Sequence, residues 1–352
     1  MAMTAMSLNM LCAALGVGIA LFVGLNAGRI GSLLGLLDYP DPFGGRKRHA
    51  RVTPLVGGLA VVAAFEVSAL LLYHLLGRDS ALLDWQVLWL GFAVGTMALV
   101  GLADDRMGLS PVVRLALTSF VLVLTIVEVP DLRVDFLRFA GADQLVLLPP
   151  WASVLFTLIC LIGLLNAVNM ADGKNGIVLA LSLIWTAVLF ARNPQPFDPL
   201  LFGIAGSLAV MLWFNMKGVL FLGDGGSYGI SAIFGLLAIY AYNHSFATFD
   251  AGQVALLFLV PVLDTVRLMA WRIGQGRSPF SGDRNHLHHY LHARWGWPAG
   301  LGIYAALVAL PNFLGVMFPV YSLALLGLGA FMYVATLFAA TRGGTVRRGV
   351  RA

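Results

Sequence analysis

Asp104 and Asp105 stand side by side in GLADDRMGLSP, residues 101–111, at the end of an apolar run. Adjacent carboxylates repel each other, so a buried helix end keeps such a pair only with a cation, a proton or a basic partner to offset it. A divalent metal ion is the natural offset. A solvated cap is the plainer reading, but two acids at a helix C-terminus oppose the macrodipole. Asp224 lies in FLGDGGSYG, residues 221–229, flanked by Gly223, Gly225 and Gly226. There, backbone amides at a helix start can approach a phosphate while the carboxylate takes a metal. In NAVNMADGKNGI, residues 166–177, Asn166, Asn169 and Asp172 recur every third residue and share a helical face before Gly173 breaks the helix. Such groups suit a hydroxylated, nitrogen-bearing ligand or a hard metal ion. Interhelical hydrogen bonding explains either Asn singly, but not all three.

Two basic stretches accompany these acids. In DYPDPFGGRKRHARVTPLVGG, residues 38–58, Lys47, His49 and the neighbouring arginines offer cationic donors for phosphate on a Pro- and Gly-rich loop. Taken alone, that loop reads better as a positive-inside anchor touching lipid headgroups. PVLDTVRLMAWRIGQGRSPFSGDRNHLHHYL, residues 261–291, holds Arg277, Arg284, His286, His288 and His289, with His292 just beyond. The pairs His286/His289 and His288/His292 have helical spacing, so zinc has to be weighed. The stretch has no Cys and no adjacent Glu, and its nearest acid is Asp283. Protonatable donors for a diphosphate suit the Arg-rich surroundings better.

The elements that carry these residues belong in a membrane. Of the 352 residues 59% are hydrophobic and 11% charged, against about 25% charged in a soluble domain. About eleven apolar stretches fit helices of roughly 20 residues each and leave little chain for a soluble domain. Residues 1–352 thus read as one all-α, polytopic integral-membrane domain ending in a basic tail at 342–352. The spans fall near 8–27, 55–76, 85–102, 112–129, 151–168, 177–191, 199–214, 227–242, 253–271, 300–318 and 320–340. The first is expected to be retained, since no basic n-region precedes it and no small residue precedes Cys12. Cys12 and Cys160, the two cysteines, both lie in apolar runs and supply neither a disulfide framework nor a metal site. Of the 22 Lys and Arg residues, all but Arg78, Arg133, Arg138 and Arg192 fall on one side of this eleven-span arrangement. That side is expected in the cytoplasm, with the N-terminus periplasmic and the C-terminus cytoplasmic. All five polar stretches then meet the cytoplasmic interface. The net charge of +5 reflects this orientation and not a nucleic-acid partner. Two alternating runs, 132–139 and 144–148, predict a small β-hairpin on the outer face, and Pro261 is a candidate for bending its span into a groove for a lipid.

The five stretches, in this order, resemble the polyprenyl-phosphate N-acetylhexosamine-1-phosphate transferase family over residues 38 to about 295. RKRHARVTPLVGG and SPFSGDRNHLHHYL are most similar to the bacterial undecaprenyl-phosphate N-acetylglucosamine-1-phosphate transferases. The resemblance implies a catalytic set of Asp104, Asp105, Asp224 and His288. It implies magnesium, with manganese also acceptable, held by Asp224 with Asn169 and Asp104. Substrate binding would fall to Lys47, His49, Asn166, Asn169, Asp172, Asn175, Arg284, His286 and His289. One departure is Asn175, where the family often has a second Asp in its DGxDG turn.

The implied partners are undecaprenyl phosphate, a UDP-amino sugar and the lipid bilayer, with a homodimer left open. The implied reaction gives undecaprenyl-diphosphate-sugar and UMP at the cytoplasmic face of a bacterial inner membrane, a first lipid-linked step toward O-antigen or another surface polysaccharide. It exchanges one phosphoanhydride for another and needs no further energy source. A polytopic transporter is the rival from another class. Transporters place ionisable groups near the midplane and often carry repeated halves, whereas here only Glu66 and Asp264 lie well inside spans and no repeat is evident.

Overall fold

The computed structural model describes residues 5–40, 51–75, 81–142, 144–192, 196–279 and 283–342. Lys47, His49 and nearly all of the basic tail lie outside the described residues. The helices are α1 (Ala5–Leu25), α2 (Ala27–Leu34), α3 (Gly57–Leu75), α4 (Ala81–Met107), α5 (Pro111–Glu128), α6 (Pro150–Ala171), α7 (Ile177–Arg192), α8 (Asp198–Met216), α9 (Asp224–Ser245), α10 (Ala251–Leu257), α11 (Leu259–Gly274), α12 (Leu287–Trp295), α13 (Ala299–Met317) and α14 (Ser322–Arg342). Two antiparallel ladders accompany them, β1 (Leu37–Asp38) with β2 (Thr53–Pro54), and β3 (Phe136–Leu137) with β4 (Val146–Leu147).

Each apolar stretch read from the sequence is helical where described, but among the described residues the helices long and apolar enough to cross a membrane number nine, or ten if α10 and α11 form one broken span. The expected eleven is corrected at α7. Its 16 residues rise about 24 Å, short of a hydrocarbon core of roughly 30 Å. The expected span at 253–271 is also interrupted, because α10 and α11 meet at 74°. That bend sits at Phe258 and not at Pro261, which occupies the first turn of α11. A proline is tolerated there because its missing N–H has no intrahelical partner to lose. The predicted hairpin is present, with Phe136 opposite Leu147 and Leu137 opposite Val146. The β1–β2 ladder was not anticipated.

The chain divides into two compact units, one of residues 1–133 and 193–237, the other of 134–192 and 238–352. In the first, α1, α3 and α8 pack through small residues. A Cβ on Gly16 would fall on the carbonyl oxygen of Gly203, and one on Gly203 would fall on the Ser68 hydroxyl. Such close backbone approach is how helices gain contact where lipid offers no hydrophobic drive. In the second unit α7 packs on α13 and α6 on α11. Trp185 fixes α7 by donating its indole N–H to the Leu257 carbonyl at 2.8 Å.

Candidate active site

The acids of the first unit gather where α4 ends and α9 begins. Gly108, at φ +65°, stops α4 one residue after Met107. Ser110 then caps α5 by accepting the Val113 N–H, with Pro111 in the first helical position. This turn brings Arg114 back to Asp104, which is buried. Oδ2 of Asp104 accepts from the Arg114 guanidinium at 2.7 Å, and Oδ1 from the Leu109 N–H at 2.9 Å. The offset for Asp104 is therefore a basic partner from the next helix, a residue that sequence reasoning did not select. The Ser-Pro signal before α5 was the available clue that Arg114 opens a helix beside the acid pair.

Asp105 points to another helix. Its Oδ2 accepts the Gly225 N–H at 3.1 Å, so it satisfies an amide in the first turn of α9, where Asp224 also lies. Backbone bonds hold that turn. Phe221 donates to Pro54, while Gly57 and Gly58 donate to Phe221 and Leu222, at 2.8–2.9 Å. The TPLVGG segment is thus the cradle of FLGDGG. Gly223 has φ +79°, and a Cβ there would stand 2.8 Å from Oδ2 of Asp105.

This donor set suits magnesium. Among the described residues no three His, Cys, Asp or Glu side chains form a metal-holding group. Magnesium, however, keeps several waters and takes one or two carboxylates together with substrate phosphates. Asp105 and Asp224 offer that much at the start of α9. Asp104, with both oxygens engaged, is less suited to the metal role expected of it.

The second unit holds the remaining candidates. Asn166, Asn169 and Asp172 fall in the last turns and C-cap of α6. The Asn166 amide donates back to the Ile162 carbonyl of its own helix at 2.8 Å, a bond within α6 and not between helices. Asn169, Asp172, Lys174, Asn175 and Arg284 all make interactions. The indole N–H of Trp297 donates to the Asn175 carbonyl at 3.1 Å, tying the DGKNG turn to the segment beyond α12.

His286 is the N-cap residue of α12. Its ring lies parallel to that of His288, with centroids 5.4 Å apart, and His289 follows at 4.2 Å from His288. His288 is only 1% exposed, and neither ring nitrogen has a hydrogen-bond partner among the described residues. It sits beneath Gly173, where a Cβ would fall on Nε2 and stand 2.8 Å from Cε1. Burial, then His289 and His286, push His288 well below the usual imidazole value. Burial, followed by Arg284, His286 and Lys174, pushes His289 down to about 4. Both imidazoles are therefore neutral near pH 7 before an anion binds, and Lys174 and Arg284 carry the positive charge around them. Burial alone would raise Asp283, but Arg272 at 2.7 Å and the Asn285 N–H at 2.8 Å hold it below the usual carboxylate range.

A pH dependence follows from the two histidines. An unfolded histidine takes its proton near pH 6.5, whereas these two resist it when folded. Their contribution to stability is therefore complete above about pH 6.5 and falls as pH drops from there toward 4. Thermal unfolding of the unliganded protein in detergent between pH 4.5 and 7.5 should show this loss. The slope should be shallower in His289→Asn.

Nine or ten helices long and apolar enough to cross a membrane among the described residues, with acids, histidines and cations at helix ends, define a multi-pass membrane protein. Residues 87–242 match the family described as "Glycosyl transferase family 4". Among curated proteins it is 28% identical over 276 residues to the undecaprenyl-phosphate alpha-N-acetylglucosaminyl 1-phosphate transferase of Salmonella typhi, covering 75% of this chain and 71% of that protein. The protein of the same description from Escherichia coli K12 is 28% identical over 277 residues, with the same two coverages. The decaprenyl-phosphate N-acetylglucosaminephosphotransferase of Mycolicibacterium smegmatis is 29% identical over 291 residues, covering 73% of this chain and 68% of the relative.

Proposed function

We propose that the protein transfers N-acetylglucosamine 1-phosphate from UDP-N-acetylglucosamine to undecaprenyl phosphate, with release of UMP, at the cytoplasmic face of a bacterial inner membrane. The family match over residues 87–242 and the similarity to the relatives named above support the class of reaction. The observation that carries the reading to particular residues is the pairing of Asp105 with the first turn of α9, beside Asp224. The donor sugar rests on the similarity to the relatives named above, and the orientation on the bias of Lys and Arg, which holds only with α7 crossing as a short eleventh span.

In the proposed reaction an oxygen of the lipid phosphate attacks the phosphorus that bears the sugar. A new phosphoanhydride bond forms, the old one breaks, and UMP departs with the bond's electron pair. Magnesium held by Asp224 and Asp105, when bound, would neutralise charge on the diphosphate. A phosphate monoester has a second pKa of about 6, so the lipid nucleophile is largely ionised at neutral pH and needs little help from a base. Direct attack is favoured over an aspartyl-phosphate intermediate, because both oxygens of Asp104 are already engaged by Arg114 and the Leu109 N–H. Asp172 and Asn175 would serve the nucleotide, a carboxamide at Asn175 still being able to hydrogen-bond a base or ribose. Arg284, His286 and His289 would serve the phosphates or sugar.

The test is mass spectrometry of lipid products after incubation with undecaprenyl phosphate, magnesium and a set of UDP-amino sugars. One undecaprenyl-diphosphate-sugar with matching UMP is expected, and its mass identifies the sugar class. No product from folded protein with any donor would overturn the reading. The transporter alternative is tested at Glu66, which stands in mid-α3 against Gly91 and Gly95 of α4, a Cβ on each lying 3.0 and 3.3 Å from its carboxyl oxygens. Glu66→Gln keeps that shape and should leave UMP release within about threefold of the unsubstituted protein, the scale of a neutral replacement. A much larger loss would point to a role in transport or coupling through the span.

A further inference from the structure

Three consecutive residues at the start of α12 are held by two residues one turn apart on α11. Asp264 is 3% exposed. Its carboxylate accepts from Nδ1 of His286 at 2.8 Å and from the Leu287 N–H at 3.2 Å to each oxygen. Arg267 donates to Asp264 at 2.8 Å and to the Asn285 carbonyl at 2.6 Å. From α14 the Tyr333 hydroxyl completes the set, donating to Asp264 and accepting from Nε of Arg267, both at 2.8 Å. An ionised carboxylate can only accept, so the proton of this bond sits on Nδ1 of His286. In a neutral imidazole the other nitrogen then keeps its lone pair, and the ring cannot turn without breaking the bond.

We propose that Asp264 is a positioning residue: through Nδ1 of His286 and the Leu287 N–H it fixes the start of α12 and leaves Nε2 of His286 as the nitrogen offered to the substrate. Arg267 and Tyr333 hold Asp264 in turn. The inference rests on the proposed transferase reading for its effect on turnover, but the Asp264–His286 link stands on geometry alone. A carboxylate that only packed the bundle would have no reason to meet both a side chain and the next backbone N–H of the histidine segment.

The test combines a spectroscopic and a kinetic measurement on the full chain. Histidine-selective nitrogen-15 NMR should show an Nδ1-protonated imidazole that is missing in His286→Ala and loses this signature in Asp264→Asn, while His244, whose Nδ1 donates to the Tyr240 carbonyl at 3.0 Å, keeps its own. The same variant should release UMP with kcat/KM lowered about 10- to 100-fold, the scale of losing an orienting partner of a functional imidazole. His286→Ala should show a similar loss, and Asp264→Asn with His286→Ala no further one, because residues acting as a unit are not additive. Additive losses, or a His286 Nδ1 signature unchanged in Asp264→Asn, would overturn the proposal. If Asp264→Asn does not fold, Tyr333→Phe takes its place. It removes one donor to Asp264 and should slow turnover in the presence of His286 but not in a His286→Ala background; equal slowing in both would also overturn it. If the unsubstituted protein releases no UMP, the transferase reading fails, while the NMR comparison still decides whether Asp264 sets the tautomer of His286.

Discussion

Asp224→Asn is expected to lower UMP release by more than about 10³-fold while leaving the thermal unfolding of the unliganded protein nearly unchanged. The side chain keeps its size, and the first turn of α9 remains held by the Pro54–Gly58 segment through backbone bonds that the substitution does not touch. What changes is charge. At the start of a helix the amides favour an anion, but in the proposed reaction two phosphate-bearing substrates meet, and their mutual repulsion calls for a cation as well. With Asp104 committed to Arg114, the carboxylates proposed for that cation are Asp105 and Asp224. A carboxamide in place of Asp224 removes one of the two charged ligands, and the loss should persist when magnesium is raised well above the concentration that saturates the unsubstituted protein. Radiolabelled UDP-N-acetylglucosamine and separation of UMP provide the measurement. Retention of more than about a tenth of the activity would remove Asp224 from the centre of the site, because loss of a charged metal ligand costs far more than that.

Local patterns carried much of this architecture. The apolar runs become helices, the alternating residues around Gly141 become β3 and β4, and the polar residues chosen for chemistry fall at helix ends and turns. Each of these signals is contained within about 20 residues of chain and follows from side-chain period or from the special backbone of glycine and proline. The features that were missed are pairings across distance. Nothing within one segment says that Asp264 meets His286 22 residues later and Tyr333 69 residues later. The single visible clue was an Asp followed three residues on by an Arg inside an apolar run, which is costly in a membrane and therefore had to be paired. Arg114 was hidden differently, because a positive charge beside a membrane helix has an ordinary explanation in orientation. The break at Phe258 escaped because Pro261 is the conspicuous residue, although a proline in a first turn opens a helix instead of bending it.

The reach of TPLVGG and FLGDGG toward each other gives the other large effect, and it concerns atoms that do no chemistry. Gly101, one turn before the acid pair of α4, faces the start of α9 so closely that a Cβ would fall on the carbonyl oxygen of Asp224, with that residue's carbonyl carbon at 2.5 Å and the Gly225 nitrogen at 2.6 Å. All three are backbone atoms, so no rotamer change can make room. The same is true of Gly58, whose Cβ would fall on Cα and N of Gly226, with the Leu222 carbonyl oxygen 3.0 Å away. Gly101→Ala and Gly58→Ala should therefore force the Asp224 turn away from α4 and α3, destabilising the protein by about 1–3 kcal/mol. Because Asp105 and Asp224 sit on opposite sides of this contact, activity should fall by at least about 10-fold, the sensitivity expected when a reacting geometry shifts by an ångström. Gly163 supplies the control. It lies within α6 with nothing within 4 Å of a built Cβ, so Gly163→Ala should stabilise the helix by about 0.5–1 kcal/mol and leave turnover alone. Thermal unfolding and UMP release measured on the three variants separate the effects. Full activity in Gly101→Ala would mean that the distance between the α4 acids and the Asp224 turn does not govern the reaction, and the site would have to be built from other residues.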